Sequence, residues 1–301
     1  MNYPPHVTII EVGPRDGLQN EPAFVATAQK IAFINLLSQS GLQHIEVTSF
    51  VSAKAIPQLA DGSAVFSAIN KPEGVHFSAL IPNEQGMNKA LEMGVKNIAI
   101  FTAASDIFNQ HNINCSIAES IERAIPVMKL AKTHDITVRG YISCVLGCPY
   151  QGEITPSDVM LVVEQLLTLG VEEISLGDTI GVGTPKQTKA LISALSSSLP
   201  LSNIAFHFHD TYGQAIANTY AALECGITRF DSSVAGLGGC PYARGASGNV
   251  ATEDILYLMH GLGIETGIDI YKIVTAGEMI CKALGRKNQS KVANALLGNP
   301  G

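Results

Sequence analysis

Short runs rich in β-branched and apolar residues recur along the entire chain, with segments of helical period between them. The runs cover residues 7–12, 44–49, 76–81, 97–102, 137–145, 173–176, 203–209 and 229–234. An intervening segment such as 27–40 puts Phe33, Ile34 and Leu37 on one face, as a helix lying on a sheet requires. Strand and helix thus alternate about eight times, a pattern that demands a parallel sheet wrapped in helices. The boundaries carry their own signals. Thr155-Pro156 and Thr184-Pro185 place a capping hydroxyl before a proline at the first helical position, and Gln187 completes a capping box with Thr184. Gly41-Leu42, Gly94-Val95, Gly170-Val171 and Gly226-Ile227 each close a helix and lead into the second, fourth, sixth and eighth strands. Such an even and odd alternation is what a repeated βαβα unit leaves in a closed barrel.

No Gly-x-Gly-x-x-Gly follows the first run, which favours an α/β (β/α)8 TIM barrel over an open doubly wound sheet. From about residue 252 the chain reads as further helices, 253–261 and 271–283, that finish or cover the barrel. Residues 1–301 are therefore expected to form one TIM-barrel catalytic domain. Hydrophobic residues make up 46% of the chain and charged ones 15%, enough for a large buried core. No apolar run approaches the roughly 20 residues that span a bilayer, and the start shows no basic segment leading into an apolar one, so a cytoplasmic location without membrane attachment is expected. The net charge of −7 and the scattered cations give no footprint for nucleic acid. Lys282, Arg286, Lys287 and Lys291 do cluster, and read as a solvated helix face. The six cysteines contain no Cys-x-x-Cys pair; most read as buried thiols, but Cys240 lies in the loop-forming run Gly236-Leu237-Gly238-Gly239-Cys240-Pro241.

In such a barrel the chemistry sits at the carboxyl ends of the strands. Those ends offer Arg15 and Asp16, Glu46 and Ser49, Arg139, Tyr141 and Ser143, Ser175 and Asp178, then His207 and His209, with Cys240 and Asn249 on the last loop. All are expected to converge on one mouth. His207 and His209 are two apart in an extended run, so their imidazoles share a face. Two imidazoles with the Asp16 carboxylate and the Asn249 amide oxygen make a nitrogen and oxygen set suited to octahedral Mg2+ or Mn2+ with positions open to substrate oxygens. Asp178 and Glu46 would orient those ligands from behind. Arg15 beside Asp16 supplies a fixed cation where an enolate would develop. The residues alone point to a metal-assisted enzyme acting on an oxygen-rich small molecule.

The motifs Glu11-Val12-Gly13-Pro14-Arg15-Asp16-Gly17-Leu18-Gln19-Asn20-Glu21, Ile45-Glu46-Val47-Thr48-Ser49-Phe50-Val51 and Ser175-Leu176-Gly177-Asp178-Thr179-Ile180-Gly181, with His207-Phe208-His209-Asp210-Thr211-Tyr212-Gly213 and the Ala235–Ala243 glycine loop, resemble those of the 3-hydroxy-3-methylglutaryl-CoA lyases over nearly the full length. The resemblance implies retro-Claisen cleavage of that thioester to acetyl-CoA and acetoacetate, an acyl-CoA substrate, no organic cofactor and a homodimer. It implies Asp16, His207, His209 and Asn249 as ligands of the divalent cation, Arg15 as stabiliser of the departing enolate and Cys240 as the acid that quenches it. His207, Asp16 or a metal-bound water would take the hydroxyl proton. Gln19, Ser49, Asn112, Arg139, Tyr141 and Ser175 match positions around the substrate or CoA. The sequence departs where relatives often carry lysines: Gln110, His111 and Pro22 stand there instead, which removes cations from the expected CoA contacts. Three alternatives compete: a condensing synthase of the isopropylmalate, citramalate or homocitrate type, a lyase for another 3-hydroxyacyl-CoA, and a non-catalytic metal- or acyl-CoA-binding barrel.

Overall fold

The computed structural model describes residues 3–239 and 248–298. Eight parallel strands close into a barrel in sequence order: β1 (Thr8–Glu11), β2 (His44–Ser49), β3 (His76–Leu80), β4 (Asn97–Ala103), β5 (Thr137–Ser143), β6 (Glu173–Asp178), β7 (Ile204–Phe208) and β8 (Arg229–Ser232), with β8 pairing back onto β1. The expected (β/α)8 architecture is the one observed. Strand ends differ from the sequence reading by a few residues at most, for local reasons. β5 stops at Ser143 because Cys144 adopts φ 63°, which turns the chain out of the sheet. Gly41, Gly94, Gly170 and Gly226 all have positive φ, as the four helix-ending turns require.

The main hydrophobic core lies between the strands and the ring of helices, with Phe33, Phe206, Phe208 and Phe230 fully buried there. A smaller apolar cluster fills one side of the barrel interior, where Leu80, Ala99 and Phe101 from β3 and β4 pack against Tyr141 of β5. Much of the remaining interior is polar, with Glu46 of β2, Ser175 of β6, His207 of β7 and Asp231 of β8 buried there. That division sets an apolar flank and a charged flank facing each other at the mouth.

Three helices follow β8: Thr252–Gly261, Ile270–Leu284 and Lys291–Gly298. The last was not expected from sequence. It is only eight residues long, and its first turn is anchored by a distant carboxylate: Asp254 accepts hydrogen bonds from Ser290 Oγ at 2.6 Å and the Val292 N–H at 3.0 Å. Of the tail cations, Lys282, Lys287 and Lys291 are exposed, as expected of a solvated face, and Arg286 is the exception. Arg286 reaches across to the Glu21 carboxylate and its Nη2 donates to the Gly236 carbonyl at 3.5 Å, tying the end of the chain to the loops at the barrel mouth.

Candidate active site

The segment after β1 makes one wide turn in which the Val12 carbonyl accepts from the N–H groups of Arg15 (3.1 Å), Asp16 (2.8 Å) and Gly17 (3.1 Å). Bulged turns of this kind place consecutive side chains over a site. Gly17 is needed because a Cβ there would lie 2.6 Å from Ser233 Oγ and 2.8 Å from Leu237 Cβ, so any larger residue would force the turn away from the loop after β8. Glu11 fastens the same two segments: its carboxylate accepts from Gly13 N–H (2.8 Å), Val234 N–H (3.0 Å) and the Thr252 hydroxyl (2.6 Å). Burial pushes its pKa up to about 7. Nearby, Glu253 accepts from the N–H of Ala235, a residue at φ 58°, and burial raises Glu253 to about 8.

His207 and His209 project from the end of β7 onto the same face, as their spacing requires. Their Nε2 atoms lie 3.2 Å apart, and His207 Nε2 is 3.8 Å from Asp16 Oδ2. One donor atom from each of Asp16, His207 and His209 falls within 4.8 Å of the others. Two imidazole nitrogens and a carboxylate oxygen converging at such separations fit a divalent cation of the N/O-binding type. Burial and the neighbouring His207 lower the His209 pKa to about 4, so that ring is a neutral donor. Burial alone would raise the Asp16 pKa, but Arg15 and the two histidines outweigh it and hold Asp16 well below the ordinary carboxylate range. Such a carboxylate is a weak base.

Asn249 also reaches Asp16, though with its nitrogen: Nδ2 donates to Asp16 Oδ2 at 2.8 Å and to the Leu237 carbonyl at 3.1 Å. The Asn249 side chain thus lies against Asp16, beside the two histidines' cluster, with two acceptors on its amide N–H groups. Asn249 steadies Asp16.

Arg15 is buried. Its Nη1 donates to Asp16 Oδ1 at 2.6 Å, its Nε pairs with the Glu46 carboxylate, and its guanidinium stacks 5.3 Å from the centre of the Tyr141 ring. The Tyr141 hydroxyl donates to the other Glu46 oxygen at 2.7 Å and accepts from Arg139 Nη1 at 3.0 Å. Glu46 thus aims Arg15, with no contact to the histidines. Among the described residues Arg15 Nη2 has no acceptor, and the side chain lines a cavity of about 380 Å3. Asp16, Gln19, Asn112, Tyr141, His207, His209 and Gly239 line it too, facing an apolar flank that includes Val51, Leu80, Phe101 and Phe108. The buried Gln19 Oε1 has no partner among the described residues. Cys240 lies outside the described residues; the preceding Gly239 is at the cavity, its carbonyl accepting from Asn20 Nδ2 at 3.1 Å.

Of the residues expected at the mouth, Arg139 and Ser175 lie lower in the barrel, whereas Ser49 and Asp178, at the ends of β2 and β6, are engaged by the backbone of their own loops. Arg139, third in β5, sits deep in the barrel, paired with Asp231 and Glu173 at 2.6 Å each. Ser175 donates to Asp231 at 2.8 Å. Ser49 Oγ accepts from the Val51 N–H at 3.2 Å, closing the turn after β2. The Asp178 carboxylate accepts from Val182 and Gly183 N–H groups (3.2 and 2.9 Å) and so shapes the β6 loop without touching a metal ligand; burial raises its pKa to about 6. Reading strand ends from sequence counts residues without knowing depth, and a tilted barrel strand carries inward residues in several layers. The residue missed was Asp231, fully buried in β8. Its signal was faint: a carboxylate two places after Arg229 on a strand whose intervening Phe230 faces the helices.

An HMGL-like family model matches residues 6–280. The chain belongs to the HMGL-like family. It is 56% identical over 297 residues to the 3-hydroxy-3-isohexenylglutaryl-CoA/hydroxy-methylglutaryl-CoA lyase of Pseudomonas aeruginosa, covering 99% of both chains. It is 53% identical over 292 residues to the mitochondrial hydroxymethylglutaryl-CoA lyase of Homo sapiens, covering 97% of this chain and 90% of that one. Among solved structures, the HMG-CoA lyase of Acinetobacter baumannii in complex with coenzyme A and 3-methylmalate superposes with a TM-score of 0.93 at 37% identity, over 98% of this chain and 96% of that one.

Proposed function

We propose that the protein is a hydroxymethylglutaryl-CoA lyase, cleaving 3-hydroxy-3-methylglutaryl-CoA to acetyl-CoA and acetoacetate with a divalent cation, Mg2+ or Mn2+. The observation that carries this reading is the convergence of Asp16, His207 and His209 beside Arg15 in one cavity, in a chain more than half identical to curated lyases of that name. Identity above 50% to proteins of that name over nearly the whole chain also weighs against the synthase alternative.

Asp16, His207 and His209 would hold the cation, with Asn249 bracing Asp16. When bound there, the cation would acidify the substrate's tertiary hydroxyl and neutralise charge on its oxygen. Loss of the hydroxyl proton lets the C3–O bond become the ketone of acetoacetate while the C2–C3 bond breaks. Its electron pair passes to the thioester as an enolate. Arg15 answers that charge: clamped by Glu46 and Asp16 and stacked on Tyr141, its guanidinium is pre-aimed and need not reorganise as the enolate forms. Burial would depress the Arg15 pKa, but Glu46 and Asp16 raise it, so it stays charged throughout. Cys240, one residue beyond the cavity-lining Gly239, would deliver the proton that converts the enolate to acetyl-CoA. The apolar flank suits the substrate's methyl group. Asn112 lines the cavity, and His111 before it, where relatives often carry a lysine, is stacked 4.1 Å from the Tyr150 ring.

A coupled assay of acetoacetate and acetyl-CoA release, run with Mg2+ and with EDTA, tests the reading. Metal-dependent release is expected. A protein that binds Mn2+ yet leaves the thioester intact would refute it.

A further inference from the structure

Asp231 is buried in the barrel interior, and every one of its described contacts is to a residue of the site or its floor. It lies directly beside His207 in the β7–β8 register. Its Oδ2 meets His207 Nδ1 at 3.2 Å and accepts from Ser175 Oγ at 2.8 Å, while Oδ1 accepts from Arg139 Nη2 at 2.6 Å. Arg139 is fixed in turn by Glu173 at 2.6 Å, by the Tyr141 hydroxyl and by a stack 5.0 Å from the Tyr141 ring. The Arg139 guanidinium is a permanent cation with donors only, and at 2.6 Å from Oδ1 it pairs with Asp231 as a carboxylate.

We propose that Asp231 is a positioning residue which, held by Arg139 and Ser175, keeps the proton of neutral His207 on Nδ1 and thereby turns the Nε2 lone pair toward Asp16 and His209. The geometry leaves little choice. An ionised carboxylate only accepts hydrogen bonds, so Nδ1 must donate to it, and a neutral imidazole has a single proton to place. Ser175 and Arg139 donate to the same carboxylate, so it cannot swing away. Arg139 therefore acts on the site through two intermediaries, without contact to substrate. The proposal rests on the reading that Nε2 of His207 serves the cation, and it makes the floor of the barrel part of that site.

The test has two independent arms. Protein labelled with 15N-histidine, metal-free and at a pH where the ring is neutral, is examined by long-range 1H–15N correlation, with His207 assigned by comparison with His207→Gln. The Nδ1–H tautomer is expected in the parent protein, and an Nε2–H tautomer there would overturn the proposal without any Asp231 variant. Separately, Mn2+ is titrated by EPR into parent, Ser175→Ala and Asp231→Asn proteins without substrate. An amide can offer Nδ1 a donor, so Asp231→Asn is expected to weaken Mn2+ binding by about 10- to 100-fold, with Ser175→Ala a few-fold weaker on the same grounds of lost orientation. Folded Asp231→Asn protein binding Mn2+ as tightly as the parent would overturn it. A parent that binds no Mn2+ would refute the metal reading instead, and the tautomer would still decide the role of Asp231.

Discussion

Tyr141→Phe separates holding Arg15 from acting on substrate. The substitution keeps the ring on which Arg15 and Arg139 stack, at 5.3 and 5.0 Å, and removes only the hydroxyl bridging Glu46 and Arg139. Each hydrogen bond to a charged partner is worth about 1.5–3 kcal/mol. Here both partners keep other ligands, Glu46 retaining Arg15 and Arg139 retaining Asp231 and Glu173, so a net loss of about 1–3 kcal/mol is expected. In a chain of this size that corresponds to a fall in Tm of roughly 2–6 °C. If the slack costs Arg15 about 1 kcal/mol of transition-state interaction, kcat drops about fivefold. Differential scanning fluorimetry and the acetoacetate assay read both quantities. A fall in kcat of more than about a thousandfold with Tm unchanged would place the hydroxyl on the substrate and refute this account; no change in either would show that the bridge does not hold Arg15.

Three further outcomes are expected. Cys240→Ser should lower kcat by about 10²–10⁴, the range for loss of a general acid, with Mn2+ affinity intact; full activity would remove Cys240 from the proton path. Glu253 has a folded-state pKa of about 8 against an ordinary 4.5, so its contribution to stability is complete below the lower value and disappears as pH climbs through the higher one. Subtracting the Tm profile of Glu253→Gln from that of the parent between pH 5 and 9 should therefore leave a downward slope, and parallel profiles would contradict it. Gly17→Ala should cost about 1–3 kcal/mol through overpacking against Ser233 and Leu237, with activity falling as the Arg15–Asp16 turn is pushed off the loop; an unperturbed Tm would mean the contact yields freely.

What the sequence disclosed depended on how local its causes were. The barrel was legible because each boundary carried its own chemistry, as at Gly41, Gly94, Gly170 and Gly226, all four of which adopt positive φ. The imidazole pair was legible because period two is a property of the strand itself. Asp231 was not, since its partners His207, Ser175 and Arg139 lie 24, 56 and 92 residues away and only closure of the barrel brings them to one carboxylate. Depth was equally invisible: Arg139 and Tyr141 are both inward residues of β5, yet one lines the cavity and the other lies beneath it. The orientation of the Asn249 amide follows from the Leu237 carbonyl, a backbone acceptor with no sequence signature.

The reach of Arg286 to Glu21 and Gly236 bears on the order in which a working enzyme comes into being. All eight strands have been synthesised by Ser232, but the cation that fastens the loops over their ends comes more than fifty residues later. Until that later stretch is made and free to fold back, a nascent chain would own a closed barrel whose rim is not yet latched. Competence for catalysis would then follow closure of the barrel and would not coincide with it.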